Sequence, residues 1–302
     1  MTFELSLNTG TTPNLSLHEA AEAAAQAGLS HIGPWRHLLA EAGGAGPAAQ
    51  IIAGAGLKAS TLCRGGFLTA PSAEAQAAAL ASNRQAIEEA AVIGANELIM
   101  VVGGLPSAAH ILGGTGDPAD KNIVAARDRV ARGLEELVPI ALEHGVRLVL
   151  EPLHPMYAAD RAVLSTLGQA LDLASPYPTK AVGVVVDTFH VFWDPQLQQQ
   201  IQRAGLEHRL ASYQICDFNL PIASNALQSR GMMGDGHIDF SAISRWVSQA
   251  GYRGPVEVEI FNDEINQQDS ALTLATMSQR YETLVLPHLE QAAGVQPASA
   301  LN

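Results

Sequence analysis

Short apolar runs alternate with long segments rich in Ala, Leu, Glu and Gln through the whole chain. The apolar runs predict strands over 3–8, 31–34, 57–62, 97–102, 146–151, 181–187, 210–216 and 256–261. The intervening segments carry helical spacing and predict helices over 16–27, 37–53, 72–93, 119–144, 164–174, 195–204, 240–250 and 269–291. Ser16 and Ser72 stand where N-caps belong, with Glu19 three and Glu74 two residues on. Gly28, Gly94, Gly145, Gly205 and Gly251 stand where helices should end.

That order is eight consecutive β/α units. Val146–Leu150 and Val182–Val186 are nearly continuous apolar runs, the mark of parallel strands covered on both faces. Eight such units in about 290 residues fit a closed (β/α)₈ barrel, a TIM barrel, of the α/β class. A doubly wound open sheet is the alternative. No GxGxxG follows the first strand and no Walker lysine is present, so a nucleotide-binding sheet has little support. No linker splits the chain, which predicts one domain over 1–292 and a mobile, small-residue tail over 293–302.

Composition narrows the classes further. Of 302 residues, 47% are apolar and 16% charged, enough to bury a large core and too little charge for a disordered chain. The net charge of −13 disfavours sequence-independent nucleic-acid binding. Cys63 and Cys216 lie far apart and suggest neither a disulfide framework nor a structural zinc site. The first residues lack the layout of a signal peptide, and no run approaches a membrane span. The expectation is a soluble, cytoplasmic protein with no membrane partner.

Barrel active sites lie at the C-terminal ends of the strands. Strand five ends in Glu151, followed by Pro152-Leu153-His154-Pro155, and strand six in Asp187-Thr188-Phe189-His190. Asp187 could cap a helix, yet the next predicted helix begins only after Pro195. Strand seven carries Gln214 amid apolar neighbours; a buried carboxamide needs hydrogen bonds on both sides or a metal. In strand eight, period two turns Glu257 and Glu259 inward, away from Val256, Val258 and Ile260, with Glu259 nearer the catalytic end. Each residue alone also reads as a capped turn, a loop histidine or a solvated charge. Jointly, three carboxylates and an amide oxygen converge on one barrel end, where a divalent cation relieves their repulsion. The oxygen-rich set favours Mn²⁺ or Mg²⁺ over Zn²⁺.

Four motifs tie these segments to a known superfamily: Glu151-Pro-Leu-His-Pro155, Val185-Val-Asp-Thr-Phe-His190, Arg230-Gly-Met-Met-Gly-Asp-Gly236 and Gly251-Tyr-Arg-Gly-Pro-Val-Glu-Val-Glu259. Together they resemble the xylose-isomerase-like barrels: sugar isomerases, ketose 3-epimerases and the endonuclease-IV-type fold. The likeness runs from strand one to strand eight and is strongest after residue 145. It implies Glu151, Asp187, Gln214 and Glu259 as metal ligands, with Gln214 departing from the usual histidine. It implies substrate contacts from His190 and Arg230. The DNA-repair branch, with its three-zinc, histidine-rich site and basic face, fits poorly with a charge of −13. Trp35, Arg64 and Trp193, near strand ends, could shape a sugar pocket or pack in the core.

The chemistry implied is removal of a proton next to a carbonyl through a metal-stabilised enediolate, with Glu151 and Glu259 as acid and base. Returning the proton elsewhere makes an isomerase or epimerase. Elimination from the same enolate would make the chain the large subunit of a C-glycoside deglycosidase, a lyase acting on 3-keto glycosides with a small β subunit, and His154 resembles its base. His154 could equally brace Glu151 from the loop. A third possibility is a non-catalytic sugar-binding barrel, against which the complete acidic set argues. Homo-oligomers are common for such barrels, by analogy.

Overall fold

The computed structural model describes residues 3–108 and 116–293. In chain order the elements are β1 (Leu5–Asn8), α1 (Leu17–Gln26), β2 (His31–Gly33), α2 (Arg36–Glu41), α3 (Ala45–Gly54), β3 (Lys58–Ala59), β4 (Leu62–Gly66), α4 (Ala73–Ile93), β5 (Glu97–Val101) and α5 (Ile123–His144). Then follow β6 (Arg147–Leu150), α6 (Leu167–Ala174), β7 (Val182–Asp187), α7 (Thr188–Val191), α8 (Leu197–Leu206), β8 (Leu210–Ile215) and the short β9 (Asp217–Phe218) and β10 (Arg230–Gly231). The chain continues through α9 (Phe240–Gln249), β11 (Val256–Val258), α10 (Asp263–Asn266), α11 (Ser270–Leu284) and α12 (Leu286–Ala293).

Nine strands form one parallel sheet in the order β3-β2-β1-β11-β8-β7-β6-β5-β4. Its two ends, β3 and β4, are successive pieces of the same barrel strand: β3 pairs with β2 and β4 with β5. A bridge between Trp35 and Cys63 draws the ends together. The molecule is the (β/α)₈ barrel read from the periodicity, with its third strand broken. Ser60 and Thr61 lie at the break, and their hydroxyls reach across the barrel to Glu257. β7 is buried at every position, as a strand under helices must be.

Local signals hold with instructive exceptions. Ser16 accepts from Glu19 N–H while the Glu19 carboxylate receives Ser16 N–H, a full capping box. Ser72 caps α4, and Gly94 and Gly145 end α4 and α5 in the left-handed conformation. Gly205 instead lies inside α8, where a Cβ would come within 2.3 Å of the Ala250 carbonyl oxygen. It is the contact point between α8 and the end of α9. The helix expected over 37–53 is two, parted at Gly43 and Gly44. The last predicted helix is likewise divided at Val285 into α11 and α12.

Both cysteines are free and buried. Among the described residues, no helix is long and apolar enough to cross a membrane. Of the tail expected over 293–302, Ala293 ends α12 and the rest lies outside the described residues.

Candidate metal and substrate site

The barrel delivers its polar side chains where apolar strands stop. Glu151 follows β6, Asp187 is the last residue of β7, and Glu259 follows β11. Asp187 is a helix N-cap: its Oδ1 accepts Phe189 N–H at 2.8 Å and starts α7, a single turn ahead of the helix expected after Pro195. That single turn carries His190 back over the strand ends. Ligand atoms of Glu151, Asp187 and His190 lie within 4.8 Å of one another, all three residues buried.

Arg230, at the start of β10, enters this cluster fully buried. Its Nη1 donates to Asp187 Oδ2 at 3.3 Å, to Glu259 Oε2 at 3.0 Å and to the Glu259 carbonyl at 3.1 Å. Its Nη2 lies 2.9 Å from His190 Nε2. His190 Nδ1 faces the His154 backbone N–H at 3.2 Å, so both ring nitrogens meet a donor while a neutral imidazole has one acceptor; one of the two approaches is a contact rather than a hydrogen bond. Burial first, and then the Arg230 charge, hold His190 well below its ordinary pKa.

The carboxylates move the other way. Burial, then Asp187 and Glu259, push Glu151 well above its usual range, against Arg230 and Arg64. Asp187 is raised by burial against the pull of Arg230. Glu259 is pushed up to about 7, chiefly by burial and in opposition to Arg230. Three desolvated carboxyls thus share one guanidinium.

Gln214 lies opposite both Asp187 and Glu257 in the sheet register. Its Nε2 donates to Glu257 Oε1 at 2.9 Å, while its Oε1 is buried with no hydrogen-bond partner. Glu257, turned inward as period two requires, also receives Asn8, Ser60 and Thr61. Above this layer opens a cavity of about 270 Å³, lined by Glu151, Glu259, His190, Arg230, Arg64 and Trp35 among others. Trp35 donates Nε1–H to Asn8 Oδ1 and packs edge-on to Phe261.

The sequence profile of the "Xylose isomerase-like TIM barrel" family matches residues 21–280. The chain belongs to that family. Within this family's fold, the protein SMc04130 from Sinorhizobium meliloti 1021 superposes with a TM-score of 0.86 at 42% identity, covering 93% of this chain and 98% of that one. The IOLI protein, solved with a bound zinc atom, superposes at 0.78 with 18% identity, covering 96% and 99%; at that identity the likeness is of fold. An inosose isomerase from Halalkalibacterium halodurans is 24% identical over 156 residues, 51% of this chain. The match spans about half (54%) of that relative's length.

The donor set fits a divalent cation. The Gln214 oxygen, buried without a hydrogen-bond partner and on the residue opposite Asp187 in the register, is open to a cation. His190 adds a nitrogen to the oxygen-rich set expected to favour Mn²⁺ or Mg²⁺, a mixture zinc also accepts. Such binding requires ionised oxygens, so uptake should release protons and weaken as pH falls through about 7, the Glu259 value. The sign for stability is opposite without metal: Glu259, raised from 4.5, holds more protons folded than unfolded. Metal-free protein should therefore lose stability as pH rises from 4.5 through about 7, and calorimetry with and without chelator checks both trends.

Four expected residues do not line the cavity: Asp187 and Gln214, which lie in the buried layer, and His154 and Trp193. His154 accepts Met156 N–H at Nδ1, and its ring packs against Phe218 and Trp193. It braces His190 through its backbone instead of facing the carboxyls. Trp193 donates to the His190 carbonyl at 2.8 Å. Arg161 and Phe67 also line the cavity, from loops with no periodicity to expose them in the sequence. Asn8 was findable, since it closes the first strand with a polar side chain as Asp187 closes another.

Proposed function

We propose that the chain is a divalent-metal-dependent sugar isomerase or epimerase, moving a proton at the carbon next to a carbonyl. The observation that carries this reading is the pair Glu151 and Glu259, two carboxyls of raised pKa lining one small cavity. Glu151, Asp187, Gln214 and Glu259, with His190 beside them, would hold the cation. Such an ion, when bound, would polarise a sugar carbonyl and acidify the neighbouring C–H. One glutamate then takes the proton and the other returns it. His190, held neutral by burial and by Arg230, would contact a sugar hydroxyl. The apolar lining from Ile99, Val101 and Phe261 excludes water from the carbanion-like state.

The relative named an inosose isomerase supports the isomerase reading. A lyase would need His154 as its base, yet that ring packs on Phe218 and Trp193 and does not line the cavity. Protein incubated in D₂O with Mn²⁺, Mg²⁺ or Zn²⁺ and a panel of ketohexoses and inososes should return sugar labelled at the carbon beside the carbonyl, together with an isomer. Absence of label from every sugar with every metal would overturn the proposal, and absence of metal binding would favour a non-catalytic sugar-binding barrel.

A further inference from the structure

More positive charge rings the cavity than that reaction uses. Arg64, Arg161 and Arg230 all line it. Arg230 is engaged with Asp187 and Glu259. Arg64 is not engaged: its guanidinium lies 4.3 Å from the Phe67 ring centre and 5.6 Å from that of Trp35. Among the described residues, the Arg64 side chain makes no hydrogen bond and no ion pair. Arg161 faces the Tyr157 ring at 5.4 Å, and its buried Nε has no hydrogen-bond partner. Its nearest carboxylate oxygen, on Asp160, is 3.7 Å away, beyond hydrogen-bond reach.

Two unsatisfied guanidiniums on one cavity oppose each other. Burial first lowers the Arg64 pKa, and the Arg161 charge adds to it against Cys63, Glu151 and Glu259. Arg230 already answers the Asp187 and Glu259 carboxylates, so the Arg64 and Arg161 donors are left without an acceptor on the protein among the described residues. A planar fork of donors on a partly desolvated wall matches a carboxylate or phosphate. Both arginines line the cavity of about 270 Å³ that Glu151 and Glu259 also line, and on the Arg64 side it adjoins a second cavity of about 460 Å³ in which Arg36 is already paired with Glu89.

We propose that Arg64 and Arg161 form a subsite for an anionic group on the substrate, a carboxylate or a phosphate, making the substrate an acidic keto sugar. This rests on the reading of the cavity as a keto-sugar site. The test is calorimetric binding of D-fructose, D-fructuronate and D-fructose 6-phosphate to the Mn²⁺-loaded protein. One acidic ligand should bind about 10- to 100-fold more tightly than D-fructose, the range of a charge-assisted contact. The two acidic arms tell carboxylate from phosphate. The Arg64→Gln/Arg161→Gln variant should lose the preference, and the Arg64→Lys and Arg161→Lys variants should keep part of it.

Equal binding of D-fructose by the wild-type protein overturns the proposal, whether or not the double variant folds. So does an acid preference that persists in the double variant, since the metal would then be its source. Deuterium exchange into D-fructose without acid preference sinks the subsite and leaves the isomerase. An acid preference lost in the double variant, with no exchange on any sugar, sinks the isomerase and leaves the subsite.

Discussion

Glu257→Ala should lower the melting temperature by about 10 °C, the largest loss expected of any single substitution away from the carboxyl cluster. Glu257 is 1% exposed, in the layer of the barrel below the cavity. Its oxygens receive Asn8 Nδ2 at 2.7 Å, Ser60 Oγ at 2.5 Å, Thr61 Oγ1 at 2.9 Å and Gln214 Nε2 at 2.9 Å. These donors come from β1, from β8 and from the break in the third barrel strand, so one carboxylate ties all three together across the interior. Gly33 makes room for it: a Cβ there would stand 2.4 Å from Glu257 Oε2. Truncation leaves the donors facing a void with no acceptor, and breaking such a buried network costs about 3–5 kcal/mol. For a chain of this size each kcal/mol moves the midpoint by roughly 2–4 °C. Glu264→Ala, on the exposed start of α10, should shift it little. Calorimetry on both variants checks this, and a Glu257→Ala midpoint within about 2 °C of wild type would refute the keystone role.

The same residue explains what the sequence could and could not disclose. Period two in Val256–Glu259 turned Glu257 inward, and long apolar runs such as 182–186 announced strands buried on both faces; both are local signals. The break of the third strand is not local. The Ser60 and Thr61 hydroxyls bond a carboxylate nearly 200 positions away, and no window of sequence contains both partners. The turn at Asp187 was hidden differently. A helix of four residues has no periodicity to detect, and only the cap geometry reveals that Asp187 starts one. Arg161 and Phe67 reach the cavity from irregular segments, where neither spacing nor pattern marks a side chain as inward. The strand ends were thus legible, since a polar residue closing an apolar run stands out; the loops that complete the cavity were not.

Glu151→Gln and Glu259→Gln should each reduce deuterium exchange by about 10²–10⁴-fold, the usual contribution of a positioned acid or base. Glutamine keeps an oxygen for a cation and nearly the same volume, so metal binding should weaken far less than exchange. What it loses is the ability to carry a proton, and both glutamates occupy an environment that raises their affinity for one. The Glu259 variant has a second readout independent of turnover. Since that carboxyl is raised from 4.5 to about 7, its removal should flatten the stability loss of metal-free protein across that interval. A variant with unaltered exchange would take its glutamate out of the proton path. A Glu259→Gln protein that kept the full pH slope would show that the slope belongs to Glu151, whose carboxyl burial also raises and which shares the same guanidinium.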